Sequence, residues 1–368
     1  MLVIVYPECF AIQGIARYLD AFLANLPLDH PPVLLITGDE HPVTHRYAGV
    51  DIWRRPFSRN RLTQLIWGLR VRRKLLHLWR QDRDLRVNLH IPPLLPGLLL
   101  PRAVVTVVTV HTTCVGLTGR FYAWRYYRSD WSTPARVVRT LMESLILRRA
   151  TRAVALTEQG REELALSGYG GTVKVVPNGV DPQSFSPAPA ESKDWDVLFI
   201  GRFERRKGSR ALVPMCKRLI AARAAVRIGI VGGGGREYLR ARQALARDCE
   251  NIHFIGDVPL ADAPRYYARS RVYVSTSFYE GLPGTCLEAM AMGMPVVAWN
   301  LDFYRGLVSD GVTGYLVPAN DLELMCSRVI ELLDDPAMAA SMGSNGRTAV
   351  LSGYDWRVIS RRLLAALE

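Results

Sequence analysis

Strand-length apolar runs alternate with longer stretches of helical period along most of this 368-residue chain, and that rhythm restricts the fold more than any other feature. The first set of runs falls at residues 2–6, 33–37, 104–110, 153–157 and 173–176; the second falls at 197–201, 226–231, 252–255, 272–275 and 296–298. A strand buried on both faces reads as a continuous apolar run, and parallel neighbours need a crossover that is usually helical. The alternation therefore predicts an α/β chain with parallel sheets. Between the two sets stand Pro177-Asn-Gly-Val-Asp-Pro182 and a Ser/Pro/Ala-rich stretch at 184–190, neither of which can sustain a helix or strand. The linker is placed there, giving a first domain over 1–182 and a second over 183–353. Each is expected to be a Rossmann-like, doubly wound sheet, with the two facing a central cleft at the carboxyl ends of their strands.

Composition excludes several classes. Hydrophobic residues make up 49% and charged residues 22%, enough apolar surface to form cores and too little charge for a disordered chain. The six cysteines, at 9, 114, 216, 249, 286 and 326, are never closer than 33 residues apart, which suggests neither a disulfide framework nor a Cys-x-x-Cys site. A reducing compartment is expected. The opening Leu2-Val-Ile-Val5 lacks the profile of a secretory signal. The longest uncharged runs, 87–101 and 103–119, are broken by prolines or end in polar residues, short of the roughly 20 apolar residues of a spanning helix. The expected place is the cytoplasm.

The net charge of +13 is unevenly spread. Residues 1–190 hold 24 Lys and Arg against 14 Asp and Glu, and no acid occurs between Ile52 and Gln81, where Arg54, Arg55, Arg59, Arg61, Arg70, Arg72, Arg73, Lys74 and Arg80 fall. Such a segment invites an anionic surface. From Leu62 to Trp79 the apolar residues Leu62, Leu65, Ile66, Leu69, Leu76 and Trp79 recur at three- and four-residue steps, drawing a stripe along a helix flanked by cations. A basic amphipathic helix of this kind can lie on anionic lipid; its competing reading is an ordinary helix packed on its sheet.

Two segments carry chemistry. In the stretch EGLPGTCLEAMAMGMPVVA, from Glu280 to Ala298, a strand runs into a turn with Gly281, Pro283 and Gly284, and a helix opens near Thr285. A helix N-terminus reached through small residues suits a phosphate, and Glu280 and Glu288 beside it suit sugar or ribose hydroxyls. Alternatively Glu288 only complements the helix dipole and Glu280 is a solvated loop residue. The second segment follows the run at 197–201, where Arg202 and Lys207 fall at the carboxyl end of a strand and could hold a diphosphate. Arg205 and Arg206 read as a solvated basic turn.

Gly201-Arg202 followed by Lys207-Gly208, Pro177-Asn-Gly-Val-Asp181 before it, and Glu280 and Glu288 spaced as E-x7-E together resemble the retaining glycosyltransferases of family 4, which have the GT-B fold. Phe254-Ile-Gly-Asp-Val258, the segment 310–318 and a last helix from Tyr354-Asp-Trp356 extend the likeness over nearly the whole chain. In this family that last helix, here 354–368, crosses back to the first domain. The resemblance implies that Arg202 and Lys207 hold the donor diphosphate and stabilise charge developing on it. It implies that Glu288 binds ribose, that Glu280 binds the donor sugar, and that the backbone of Gly284, Thr285, Cys286 and Leu287 meets sugar and phosphate oxygens. Val258 would meet the base through its backbone, and His111 would lie near the donor sugar, unless it is simply a hydrogen-bonded strand-end histidine. Gly14 stands where the family has a Gly-Gly pair, with Gln13 replacing one member. After Val297, where the family often has Gly-Gly-x-Pro-Glu, the chain reads Trp299-Asn-Leu-Asp-Phe-Tyr-Arg305. Donor identity is expected to be affected there.

Other motifs are set aside. Asp82-Arg-Asp84 and Asp194-Trp-Asp196 match a metal-holding tripeptide but precede strands, at the wrong end of a sheet. Residues 232–235, four glycines, resemble a dinucleotide loop without its Gly-x-Gly-x-x-Gly order and read as a close-approach turn. His41 and His45 have no third ligand in sight, so zinc is not expected. The function expected is retaining transfer of a sugar from a UDP- or GDP-sugar, without a metal or other cofactor, to a lipid-linked or glycan acceptor in envelope or polysaccharide synthesis. The protein would be peripheral at the inner membrane face. A non-catalytic nucleotide-sugar-binding subunit is the alternative, and no nucleic-acid motif accompanies the charge. Glycoside hydrolysis is disfavoured because its carboxylate pair is missing.

Overall fold

The apolar runs form strands in the computed structural model, which describes residues 1–9, 14–38, 47–57, 60–95, 98–118, 133–187, 193–248 and 250–368. In the first half these are β1 (Leu2–Val5), β2 (Val33–Thr37), β3 (Val50–Arg54), β4 (Arg86–Ile91), β5 (Val105–Val110), β6 (Arg152–Ala155) and β7 (Thr172–Val175). They pair in parallel in the order β3-β2-β1-β4-β5-β6-β7. In the second half β8 (Trp195–Ile200), β9 (Ile228–Val231), β10 (Ile252–Gly256), β11 (Ser270–Ser275), β12 (Val296–Trp299) and β13 (Gly314–Val317) form a parallel sheet in the order β10-β9-β8-β11-β12-β13. Both sheets are doubly wound. The strand order reverses between β1 and β4 in one and between β8 and β11 in the other, and a crevice for a ligand opens at the carboxyl ends of the strands at such a reversal.

Three strands lack a run that would mark them. β3 is a half-buried edge strand in which Asp51 and Arg54 interrupt the apolar residues. β4 is buried but contains Asn88 and His90; the Asn88 amide donates to the Val107 carbonyl at 3.1 Å and to Thr109 Oγ1 at 2.9 Å, which makes a polar residue tolerable inside a sheet. β13 is four residues long and begins with glycine.

Two compact units result. One comprises the described residues up to Gly179 together with Trp356–Glu368; the other comprises Val180–Asp355. In the first unit the Trp356 ring lies edge-on to Tyr18 at 5.2 Å, and Ser360 Oγ donates to the Phe22 carbonyl at 3.4 Å. The helix Arg61–Gln81 begins at Asn60, whose side chain accepts from the Leu62 N–H, and buries Trp67, Val71 and Leu75 against the sheet. That corrects the expected stripe. Leu76 and Trp79 do pack against this core, but Leu62, Leu65, Ile66 and Leu69 lie on the outward side, 38–64% exposed. The helix Thr133–Leu147 packs Ile146 and Leu147 into the same core and likewise leaves Val137, Val138 and Leu141 exposed.

Candidate functional site

In the second unit the sheet reversal brings the ends of β8 and β11 side by side. β8 leads through Gly201, Arg202, Phe203 and Glu204 into one 3-10 turn, Arg205–Lys207, closed by Gly208 at φ +72°. This turn is docked on the segment after β11. The Phe278 N–H donates to the Arg206 carbonyl at 2.7 Å, and Thr276 Oγ1 donates to the carbonyls of Lys207 at 3.1 Å and Gly208 at 3.3 Å. A Cβ on Gly208 would stand 1.8 Å from the Thr276 carbonyl oxygen, so only glycine fits both the φ and the contact.

The docking puts the basic side chains of the turn onto Glu280. Lys207 Nζ pairs with Glu280 Oε1, and Arg206 Nη1 pairs with Glu280 Oε2 at 3.2 Å. Glu204 bridges outward, accepting from Arg206 Nε at 2.8 Å and pairing with Arg202 Nη1 at 3.0 Å. Side-chain exposure falls from 65% at Arg202 to 16% at Arg206 and Lys207 and 8% at Glu280, so the chain of charges runs from rim to interior. Burial opposes both charges of the inner pair. At Glu280 the attraction of Lys207 and Arg206 outweighs it and the carboxyl sits below its usual range; at Lys207 burial prevails over Glu280 and lowers the ammonium. Arg206 is thus not the solvated turn residue expected. The sequence gives no sign of this, because which of three consecutive cations faces inward is set by the turn and not by its composition.

Glu288 is also buried, on the helix Gly284–Ala291, and accepts from the Tyr267 hydroxyl at 2.7 Å. The Tyr273 hydroxyl donates to Thr285 Oγ1 at 2.7 Å. The N–H groups of Cys286 and Leu287 are taken by the Pro283 carbonyl, at 3.0 and 3.2 Å, which leaves Gly284 and Thr285 as the first-turn donors that helix geometry leaves without an intrahelical partner. Val258, half-buried, follows β10. Beside it Gly232, at φ +114°, comes so close to Gly201 that a Cβ would meet its carbonyl at 2.2 Å, the close approach expected of the four glycines.

In the first unit His111 follows β5 and its N–H donates to the Ile91 carbonyl at 3.0 Å. Its Nε2 faces Nδ1 of His90 at 3.0 Å, and Tyr18 lies edge-on to both rings. Burial holds both imidazoles neutral, His111 down to about 3 and His90 well below its usual value, the latter also repelled by His111. His90 is a residue that sequence reasoning passes over; the polar alternation Asn88-Leu-His90 within an otherwise apolar stretch is its signal. Behind this loop the two oxygens of Glu143 accept from the Cys114 N–H at 2.9–3.0 Å, and Thr113 donates to the buried Glu163. Gly14 opens the helix Gly14–Ala24 and is exposed, with nothing within 4 Å of where a Cβ would be.

The set-aside motifs behave as ion pairs. Asp194 pairs with Arg269 and Asp196 with Arg271, at the amino end of β8, while Asp82 holds the N-terminal ammonium at 3.1 Å. Among the described residues no group of three or more His, Cys, Asp or Glu is placed to hold a metal ion. Gln13, His41 and His45 lie outside the described residues.

Comparison with known proteins gives two family matches: Glycosyltransferase Family 4 over residues 12–184 and Glycosyl transferases group 1 over residues 181–349. A phosphatidyl-myo-inositol mannosyltransferase of Mycolicibacterium smegmatis is 33% identical over 210 residues, 55% of this chain and 53% of that protein. The chain thus spans about half the length of the curated relatives it matches. Among solved structures, sucrose-phosphate synthase from Thermosynechococcus elongatus superposes with a TM-score of 0.76 at 20% identity, covering 99% of both chains. Anabaena HepE in complex with UDP and glucose does so with a TM-score of 0.76 at 17% identity, covering 100% of this chain and 98% of that one. At such identities these two show the fold.

Proposed function

We propose, from the premise that the chain belongs to glycosyltransferase family 4, that it transfers a sugar from a nucleotide diphosphate donor to a lipid-linked or glycan acceptor with retention of anomeric configuration. The observation that carries this reading is the charge chain at the reversal of the second sheet. Lys207 and Arg206 stand on either oxygen of Glu280, with Arg202 at the rim and Glu288 buried on the adjacent helix. Cations fixed before the reaction stabilise the charge that appears on the leaving diphosphate without reorganising at the moment of bond breaking. A carboxylate has about four acceptor sites, so Glu280 can keep its cations and still accept from sugar hydroxyls. Glu288 is the ribose acceptor in this reading, the donors of Gly284 and Thr285 meet phosphate or sugar oxygens, and Val258 meets the base. In the first unit, Gly14, open at its helix start, and neutral His111 are the residues that this reading assigns to the donor. The transfer runs without a metal.

Support for a lipid acceptor comes from the outward face of the first unit. Leu62, Leu65, Ile66 and Leu69 are exposed at helical spacing beside Arg70, Arg73 and Lys74, and such a face binds anionic lipid through apolar burial and charge together. The mannosyltransferase relative is named for a phosphatidylinositol acceptor, which suits the same placement. No helix among the described residues is long and apolar enough to cross a membrane, so the association proposed is peripheral. Incubation with UDP- and GDP-sugars and phosphatidylinositol vesicles tests the reading. Release of free nucleoside diphosphate with a glycolipid of unchanged anomeric configuration is expected. Absence of release from every donor, or an inverted product, overturns it.

A further inference from the structure

The segment that departs from the family pattern, beginning at Trp299, lies directly behind the charge chain. Trp299 ends β12, is fully buried, and sits across from the end of β11, where Ser275 pairs with Ala298. Its indole N–H donates to the Thr276 carbonyl at 2.9 Å, and its ring stacks on Phe278 with planes 10° apart and centroids 5.9 Å apart. Thr276 and Phe278 both hold the basic turn: Thr276 Oγ1 donates to the carbonyls of Lys207 and Gly208, and the Phe278 N–H donates to that of Arg206, which also accepts from the Tyr279 N–H at 3.3 Å. One side chain thus contacts two of the residues that hold the turn.

We infer that Trp299 is a positioning residue for the diphosphate clamp, acting through Thr276 and Phe278 to keep Lys207 and Arg206 on Glu280. The inference rests on the donor reading above for what the clamp binds, and on the contacts alone for how it is held. Its physical basis is that a buried carbonyl deprived of its donor seeks another arrangement. The segment 276–279 has its own hydrogen bonds to the turn, so the two would shift together.

Two measurements test this in the 368-residue chain. The first needs no ligand: amide hydrogen exchange of Phe278 in wild type and in Trp299→Phe, which keeps the aromatic ring and removes the N–H. Protection of the Phe278 amide should fall about tenfold while amides of β9 and β10 change by less than about threefold, because local opening and global unfolding are separable. Equal loss everywhere, or no loss at Phe278, overturns the inference. The second is a double-mutant cycle on UDP and GDP affinity. Trp299→Phe should weaken binding about five- to tenfold in the wild-type background and have little effect once Lys207→Ala is present, since residues acting through one another do not add. An undiminished effect in the Lys207→Ala background overturns the inference. Should Trp299→Phe fail to fold, Thr276→Val removes the latch on the turn directly and must reproduce both results; unaltered affinity in that variant overturns the inference. A wild type that binds neither nucleotide overturns the transferase reading instead, while the exchange measurement still decides the role of Trp299.

Discussion

Lys207 and Arg202 are both assigned to the diphosphate, yet they stand in different surroundings, and the difference has consequences. Lys207 is held at Glu280 inside the site, whereas Arg202 is mostly solvated and pairs with Glu204. Removing a preorganised cation costs about a hundredfold in turnover where the site is dry. Lys207→Ala should therefore lose about that much or more, and Arg202→Ala somewhat less, read from steady-state kcat; near-normal turnover in both would remove them from the mechanism. Glu288→Gln keeps the shape but loses charge-assisted acceptance, so donor affinity should fall by about 1.5–3 kcal/mol in a titration. Wild-type protein binding a 2′,3′-dideoxy donor as tightly as the ribose form would refute the ribose assignment. Glu143 makes a pH prediction. Burial raises its carboxyl to about 7, helped by Glu163 and opposed by the Cys114 N–H. The folded chain thus keeps a proton that the unfolded chain releases near its ordinary value of about 4.3, so stability declines as pH rises from there to about 7, and the loss persists above. Glu143→Gln has nothing to ionise and should gain on wild type between pH 5 and pH 8 by on the order of 2–3 kcal/mol, seen as a diverging Tm; parallel Tm curves would contradict this. Of these residues, Lys207, Glu280 and Glu288 are legible as motif positions, while Glu143, Glu204, Arg206 and His90 are not, because their roles depend on which neighbour a turn or a strand register brings against them.

At the scale of elements, apolar runs identify ten strands and miss β3, a half-buried edge, β13, which is short, and β4, whose Asn88 finds partners inside the sheet. β4 is the clearest instance: Asn88 and His90 break its apolar run, and β5 supplies Val107 and Thr109 as partners for Asn88. Helical period marks the helix Arg61–Gln81, but period alone mixes its two faces. Trp67, Val71 and Leu75 are the buried set, and the residues at 62, 65, 66 and 69 form a separate outward set. The outward set predicts lipid binding. The protein should cosediment with vesicles containing anionic lipid and release them as salt is raised. The variant with Arg70, Arg73 and Lys74 replaced by Ser should fail to bind while staying folded, each cation near the surface being worth about 1 kcal/mol; Arg72 is left in place because its Nε donates to the Leu99 carbonyl at 2.8 Å. Equal partition onto neutral vesicles, or none onto either, would leave this face unexplained.

At the scale of the whole molecule, the linker and the two sets of runs make two doubly wound sheets legible from sequence, because the βα rhythm and right-handed crossovers leave few other arrangements. What sequence does not supply is the order of strands within each sheet, and with it the reason that residues 202–207 and 276–280 share one edge. That order places the charge chain. The measurement that tests its role most directly is a calorimetric titration of UDP and GDP, without added metal, into wild type and Lys207→Ala. At least one nucleotide should bind wild type and bind the variant about tenfold or more weakly, since the proposed role of the ammonium is that of a charged donor to the diphosphate. Equal affinity in the two proteins, or no binding of either nucleotide to wild type, would contradict the account.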